Sequence, residues 1–229
     1  TVTVWELQSR KAVRHFEGHA SSVYCCALAP DGSVAISGDM DGCIKVWRVA
    51  DGEEIGTFEE HKQAVMSVAF SADGCRALSA SADKSIVHWD MTENEDGRVS
   101  GIKMHHLTGH RGAVRCALFT PDGMTAISAS SDNTLKLWNL KTGKETRAMV
   151  GHRDDVLSCD LSPDGEYAVS ASQDNTLKVW TVATGKELRT LIGHSDAVRS
   201  CAFSRDGSMI LSGSYDQRCI VWVRVKGPE

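Results

Sequence analysis

Apolar and polar positions along this chain alternate in short runs, beginning with TVTVWEL at residues 1–7, and are broken at close intervals by Gly, Asp, Asn and Ser. Few stretches carry the 3.6-residue stripe of an amphipathic helix, so the pattern predicts strands joined by tight turns. The runs recur. Tryptophans stand at 5, 47, 89, 138, 180 and 222, spaced 42, 42, 49, 42 and 42 residues apart. Self-similarity at such a period is the signature of a repeat protein.

Each of the last five tryptophans closes a fixed set of residues. A histidine lies 28 residues before it, an aspartate 22 after that histidine, and a serine four before the aspartate. The sets are His19, Ser37, Asp41 and Trp47; His61, Ser79, Asp83 and Trp89; His110, Ser128, Asp132 and Trp138; His152, Ser170, Asp174 and Trp180; and His194, Ser212, Asp216 and Trp222. Four short strands per repeat fit this length. Asp-Gly turns at 31–32, 73–74, 122–123, 164–165 and 206–207 join the first strand to the second, through an Asx-type bond and a residue that tolerates positive φ.

Two finer patterns sit on the strands. A valine follows each histidine by four (Val23, Val65, Val114, Val156, Val198), yet the next apolar positions come seven and nine after it, as at Cys159 and Leu161. An odd step breaks period-2 alternation, which predicts a β-bulge in the first strand. In the second strand a tiny residue (Gly38, Ala80, Ala129, Ala171, Gly213) sits two after a branched one (Ile36, Leu78, Ile127, Val169, Leu211), an alternation suited to sheets packed face to face.

These residues resemble the WD40-repeat family over essentially the whole chain. The resemblance rests on Gly18-His19, Gly109-His110, Gly151-His152 and Gly193-His194, on the SxSxDxTLKxW-like segments at 128–138 and 170–180, and on the repeat length. Glu60 departs from it before His61, only Trp89-Asp90 has the eponymous dipeptide, and His88 stands where other repeats carry Val46, Leu137, Val179 and Val221. The resemblance implies an all-β fold, a β-propeller of four-stranded blades. Its repeats run approximately over 18–59, 60–108, 109–150, 151–192 and 193–225 of a single domain, 1–229. A partial N-terminal blade, 1–17, precedes them with strands at 1–7 and 11–17, and the last strand is expected at 218–225. Seven blades are the commonest count in the family that the chain resembles, and seven repeats of 42 would need 65 residues more than the chain has, so the resemblance implies a seven-bladed ring truncated at its N-terminus, with 226–229 as its C-terminal edge; a closed five-bladed ring is the alternative. The long repeat places its seven extra residues in 92–106, expected as a loop between third and fourth strands.

Composition narrows the function. The 25 Lys+Arg against 30 Asp+Glu give a formal charge of −5, which argues against nucleic-acid binding through bulk positive charge. No apolar run approaches the roughly 18 residues of a membrane helix, so no membrane partner is expected. The eight cysteines include no CxxC pair, pointing to free thiols in a reducing, intracellular compartment, cytoplasmic or nuclear. No Walker A or GxGxxG sequence occurs, and neither His105-His106 nor Cys25-Cys26 has metal-ligand spacing, so no cofactor and no metal is expected. Lys45, Lys136 and Lys178, one per blade, read as a solvated face. Ser, His and Asp invite a hydrolase triad, but five identical sets without a G-x-S-x-G elbow make no mechanistic sense as active sites. No catalytic residue is assigned. The family resemblance makes the sets structural tetrads, the histidine bonding serine and aspartate while the indole N–H closes the chain.

The same resemblance places partner contacts on the propeller's top face. The bulge position five after each histidine holds Tyr24, Met66, Arg115, Leu157 and Arg199; Asp155 lies two before one of them; Met40, Gln173 and Tyr215 precede turn aspartates. Tyr, Met and Arg dominate interface cores. The expected function is a non-catalytic, signalling-type scaffold that binds a protein or peptide within a multiprotein complex or multidomain chain. The alternative is the sensor or substrate-receptor region of a larger enzyme or signalling ATPase with its catalytic domain upstream.

Overall fold

A computed structural model describes residues 1–223; the end of the strand expected at 218–225 and the edge expected at 226–229 lie outside the described residues. All elements among those residues are β-strands, in two compact units, one over Thr1–Phe119 and a second that begins at Thr120.

In the first unit, β1 (Val2–Glu6) pairs with β2 (Lys11–Phe16). An antiparallel meander follows, β3 (Val23–Leu28), β4 (Val34–Asp39), β5 (Cys43–Arg48) and β6 (Glu54–Glu59). A second repeats the order with β7 (Val65–Phe70), β8 (Arg76–Ser81), β9 (Ser85–Asp90) and β10 (Ile102–Thr108), and β11 (Val114–Phe119) packs against β7 and β8. In the second unit β12 (Thr125–Ser130), β13 (Thr134–Asn139) and β14 (Lys144–Val150) pair in sequence. The meander β15 (Val156–Leu161), β16 (Tyr167–Ser172), β17 (Thr176–Thr181) and β18 (Lys186–Ile192) comes next. The last sheet is β19 (Val198–Phe203), β20 (Met209–Ser214) and β21 (Cys219–Val223).

The turns form for the reasons the sequence suggests. Oδ1 of Asp31, Asp73, Asp122, Asp164 and Asp206 accepts the amide two residues on at 2.9–3.1 Å, and the following glycines take φ of 64–73°. The expected bulge is present. Register slips between Val23 and Cys25, Val65 and Ser67, Val156 and Ser158, and Val198 and Ser200, leaving Tyr24, Met66, Leu157 and Arg199 as the extra residues.

Sheet faces pack as the small-against-large alternation requires. In the first unit Ile36, Ile44, Val46, Phe58, Val65, Val87 and Trp89 form one core, and Phe16 stacks on Trp47 at 5.4 Å beneath β1 and β2. In the second, Val169, Ala171 and Leu177 meet Val198, Cys201 and Ile210. Leu211, expected inside, is 49% exposed, because no described strand of its own unit covers the face of β20 and β21 that it shares with Val221. The inserted segment is shorter as a loop than its sequence suggested. Residues 102–106 belong to β10, and the remainder is closed by a Glu93–Val99 bridge and by Asn94–Arg98 and Asn94–Gly97 bonds, with Val99 buried beside Phe58. Lys45, Lys136 and Lys178 are paired rather than merely solvated: each reaches a fourth-strand glutamate (Glu54, Glu145, Glu187) at 2.6–2.8 Å.

His88 takes its aliphatic position without a polar partner. It is 1% exposed, neither ring nitrogen is hydrogen-bonded, and the ring lies 5.9 Å from both His105 and Phe119. Burial first, then the charges of Arg76 and His105, pull its pKa down to about 4, with Asp90 opposing. The unfolded chain therefore takes up this proton from about pH 6.5 downward while the folded one refuses it until about 4. Stability is lost as pH falls through that window, by up to about 3 kcal/mol.

Two expectations follow from this packing. The stability gap between His88→Val and the parent, measured by urea unfolding, should widen in the variant's favour from pH 7 to pH 4; a constant gap would contradict the buried neutral imidazole. At Gly38 an added Cβ would lie 2.5 and 2.6 Å from the Val65 side chain. Gly38→Ala should cost about 1–3 kcal/mol although three other repeats carry alanine there, and a Val65→Ala background, which removes the Cγ1 contact but keeps Cβ, should relieve only part of that cost.

Candidate functional site

In the five sheets after β1–β2 the second-strand serine receives the third-strand indole. Trp47, Trp89, Trp138, Trp180 and Trp222 donate Nε1–H to Ser37, Ser79, Ser128, Ser170 and Ser212 at 2.8–2.9 Å. The same hydroxyls lie 2.7–2.8 Å from Nε2 of His19, His61, His152 and His194. Nδ1 of those rings lies 2.7–3.0 Å from a carboxylate: Asp39, Asp83, Asp174 and Asp216. A carboxylate needs a donor, so Nδ1 carries the proton and Nε2 accepts from the serine hydroxyl. His110 is buried, and Asp132 accepts from the amide and hydroxyl of Thr134.

Asp83 and Asp174 show how completely the turn aspartate is engaged. Oδ2 of Asp174 accepts from His152 and the Arg153 amide, and Oδ1 from the amide and hydroxyl of Thr176. Burial alone would raise this carboxyl, but the bonds from His152, Thr176 and Arg153 outweigh it and hold it well below the usual carboxylate range. Asp83 has the same arrangement with His61, Ser85 and Lys62.

The first repeat differs, and Asp41 is not the carboxylate of its tetrad. Asp39, two residues earlier, bonds His19 at 2.8 Å, while its Oδ1 accepts the amides of Asp41 and Cys43. The reason lies in two substitutions. Position 39 is Ser81, Ser172 and Ser214 in other repeats, where the hydroxyl caps the turn amide and donates to a loop carbonyl; an aspartate there reaches further and carries charge. Position 43 is Ser85, Thr134 and Thr176 elsewhere, whose hydroxyls bond the turn aspartate, whereas a thiol is a weak donor. The Asp41 carboxylate is left exposed, with no hydrogen bond or ion pair to another described residue. The sequence held the signal, an aspartate 20 after the histidine and a cysteine 24 after it, but spacing alone favoured position 41.

His19, Asp39 and Cys43 also bring one ligand atom each within 4.8 Å, a group that could hold a metal ion. Both nitrogens of His19 are already engaged, with Asp39 and Ser37, and burial followed by the Asp39 charge raises the Cys43 thiol. A cation would have to displace the Nδ1 proton and a thiol proton together.

Strand direction puts the β4–β5, β6–β7 and β8–β9 turns at one end of the first unit's sheets, and the inserted loop at the other. At that first end Tyr24, Met40, Met66 and Arg115 come together with Asp41, Lys62, Gln63, Ala64 and Ala82 around an open groove of about 520 Å³. Tyr24 and Met40 are each 52% exposed. In the second unit the Arg199 guanidinium lies over the Tyr215 ring at 5.3 Å; Gln173 donates its amide to the Asp155 carbonyl, and Leu157 is half-buried.

A family description, WD40: WD domain, G-beta repeat, matches residues 10–48, 52–90, 101–139, 143–181 and 185–223. No curated protein matches the chain.

The swapped carboxylate is directly testable. Asp39→Ala should cost about 1–3 kcal/mol by stranding His19 and two amides, as Asp83→Ala and Asp174→Ala should in their own repeats. Asp41→Ala should stay within about 0.5 kcal/mol of the parent in the same denaturation measurement. Equal losses at 39 and 41 would return Asp41 to the tetrad.

Proposed function

Because the chain belongs to the WD40-repeat family, we propose that it is a non-catalytic scaffold that binds a protein or peptide in the groove between Tyr24, Met40, Met66 and Arg115. WD40 repeats generally mediate protein–protein interaction. The observation that carries the reading is the groove itself. Exposed Tyr and Met side chains beside Lys62 and Arg115 join apolar anchors to charge, the mixture that interface cores and their rims favour. Bulges supply Tyr24 and Met66 without using them in the ladder, so these two side chains are available to a ligand.

Support for the non-catalytic part comes from the serines. Ser37, Ser79, Ser128 and Ser170 are fully buried and Ser212 is 1% exposed, and each oxygen accepts an indole N–H. A nucleophile needs access to substrate, and a hydroxyl sealed inside the sheet with its oxygen held by an indole N–H has none. In the second unit Leu157, Arg199, Asp155, Gln173 and Tyr215 are proposed as further contacts. Membership of a multiprotein complex or multidomain chain, a signalling role and a cytoplasmic or nuclear location belong to the same proposal, the last supported by eight free cysteines. A truncated seven-bladed ring rests on the family's commonest blade count together with the 42-residue repeat, and binding at the groove does not depend on it.

Affinity capture from native lysate, quantified by mass spectrometry, tests the site. A Tyr24→Ala/Met66→Glu variant should lose the proteins that the parent enriches, whereas Glu95→Arg in the inserted loop should keep them. Identical enrichment by parent and groove variant, with loss in the loop variant, would move the site to the other end of the sheets.

A further inference from the structure

The groove contains one acidic side chain, Asp41, and its presence there follows from the carboxylate swap in the first tetrad. At the equivalent place in the second repeat, Asp83 spends both oxygens on His61, Ser85 and two amides. Asp39 performs that work in the first repeat, taking His19 and the amides of Asp41 and Cys43. A charged carboxylate thus stands in an open groove without an internal partner among the described residues, although two cations, Lys62 and Arg115, line the same groove.

We infer that Asp41 is the specificity-determining residue of this groove, and that it recognises one lysine or arginine side chain of an extended partner segment. The inference rests on the binding reading above and deepens it. The walls suit such a side chain along its whole length. Tyr24, Met40 and Met66 offer apolar and aromatic surface to an aliphatic stem or a guanidinium plane, and Asp41 meets the charged head. The flanking cations narrow the choice. Lys62 and Arg115 oppose a polybasic segment and favour a single basic residue with acidic or apolar neighbours, so discrimination comes from repulsion as well as attraction. Because Asp41 takes no part in the tetrad, its charge can be changed while the framework beneath stays intact.

Selection from a display library of random peptides of about twelve residues, using the full-length protein, tests this whatever the identity of the physiological partner. The parent's enriched pool should fix Lys or Arg at one position. Asp41→Asn should erase that preference and weaken individual parent-selected peptides by roughly tenfold in fluorescence anisotropy. Asp41→Lys should exchange it for Asp or Glu, and both variants should unfold at the parent's denaturant midpoint. The Tyr24→Ala/Met66→Glu variant should lose enrichment altogether. A parent pool without a basic position, or a basic preference that survives Asp41→Asn, overturns the role of Asp41 while leaving the groove as the binding site. Enrichment unchanged in the Tyr24→Ala/Met66→Glu variant overturns the groove itself, and this inference with it.

Discussion

A serine hydroxyl sealed from water is the atom on which each complete tetrad depends. It sits on the second strand, takes an indole N–H from the third, and meets an imidazole that arrives from the loop before the first strand. Three segments that packing alone would leave free to slide are thereby fixed at one point. In water such bonds are worth little net, but inside the sheet each missing partner would strand a desolvated group. The glycine before the histidine completes the arrangement: a Cβ at Gly151 would lie 3.0 Å from the Trp180 ring and 2.9 Å from Glu187, so the loop can approach the indole only without a side chain. Where Glu60 replaces that glycine, the carboxylate turns outward to Lys103.

Much of this was legible in the sequence because it is written five times. Strand order, the Asp-Gly turns and the odd step that becomes a bulge all follow from spacing, and spacing is what a sequence displays. Features confined to one repeat were not legible in that way. The choice of Asp39 over Asp41 depends on reach and on the poor donor strength of the Cys43 thiol, which no period records. Lys45, Lys136 and Lys178 looked solvated because their glutamates lie nine residues away on the next strand, a pairing that needs the register of β5 with β6 and its counterparts. Leu211 carries the same pattern as Ile36, yet burial depends on a neighbouring face, which a residue's own strand cannot supply.

The division between framework and surface also follows from the bulge. In β7 one extra residue, Met66, leaves the ladder, so its side chain is spared the sheet's pairing while Val65 before it remains in the core. Tyr24 and Met66 therefore vary in chemistry at no expense to the sheet, while Val65 cannot: it fills the space above Gly38. The same strand thus holds a residue fixed by sterics and, immediately after it, a residue that only a ligand would constrain.

Redundancy in the tetrad extends this argument from side-chain identity to charge. A turn that offers carboxylates at two positions, 39 and 41, needs one of them for the imidazole, and geometry lets the earlier one serve. The second carboxylate is then left to solvent, in the groove that Lys62 and Arg115 also line, rather than to the core. Such a transfer would be forbidden in the second and fourth repeats, where Ser81 and Ser172 are too short to reach the ring and already bond a loop carbonyl and the turn amide. A repeat scaffold can thus acquire a binding charge by duplicating a structural one, and the stability of the sheet beneath does not register the change.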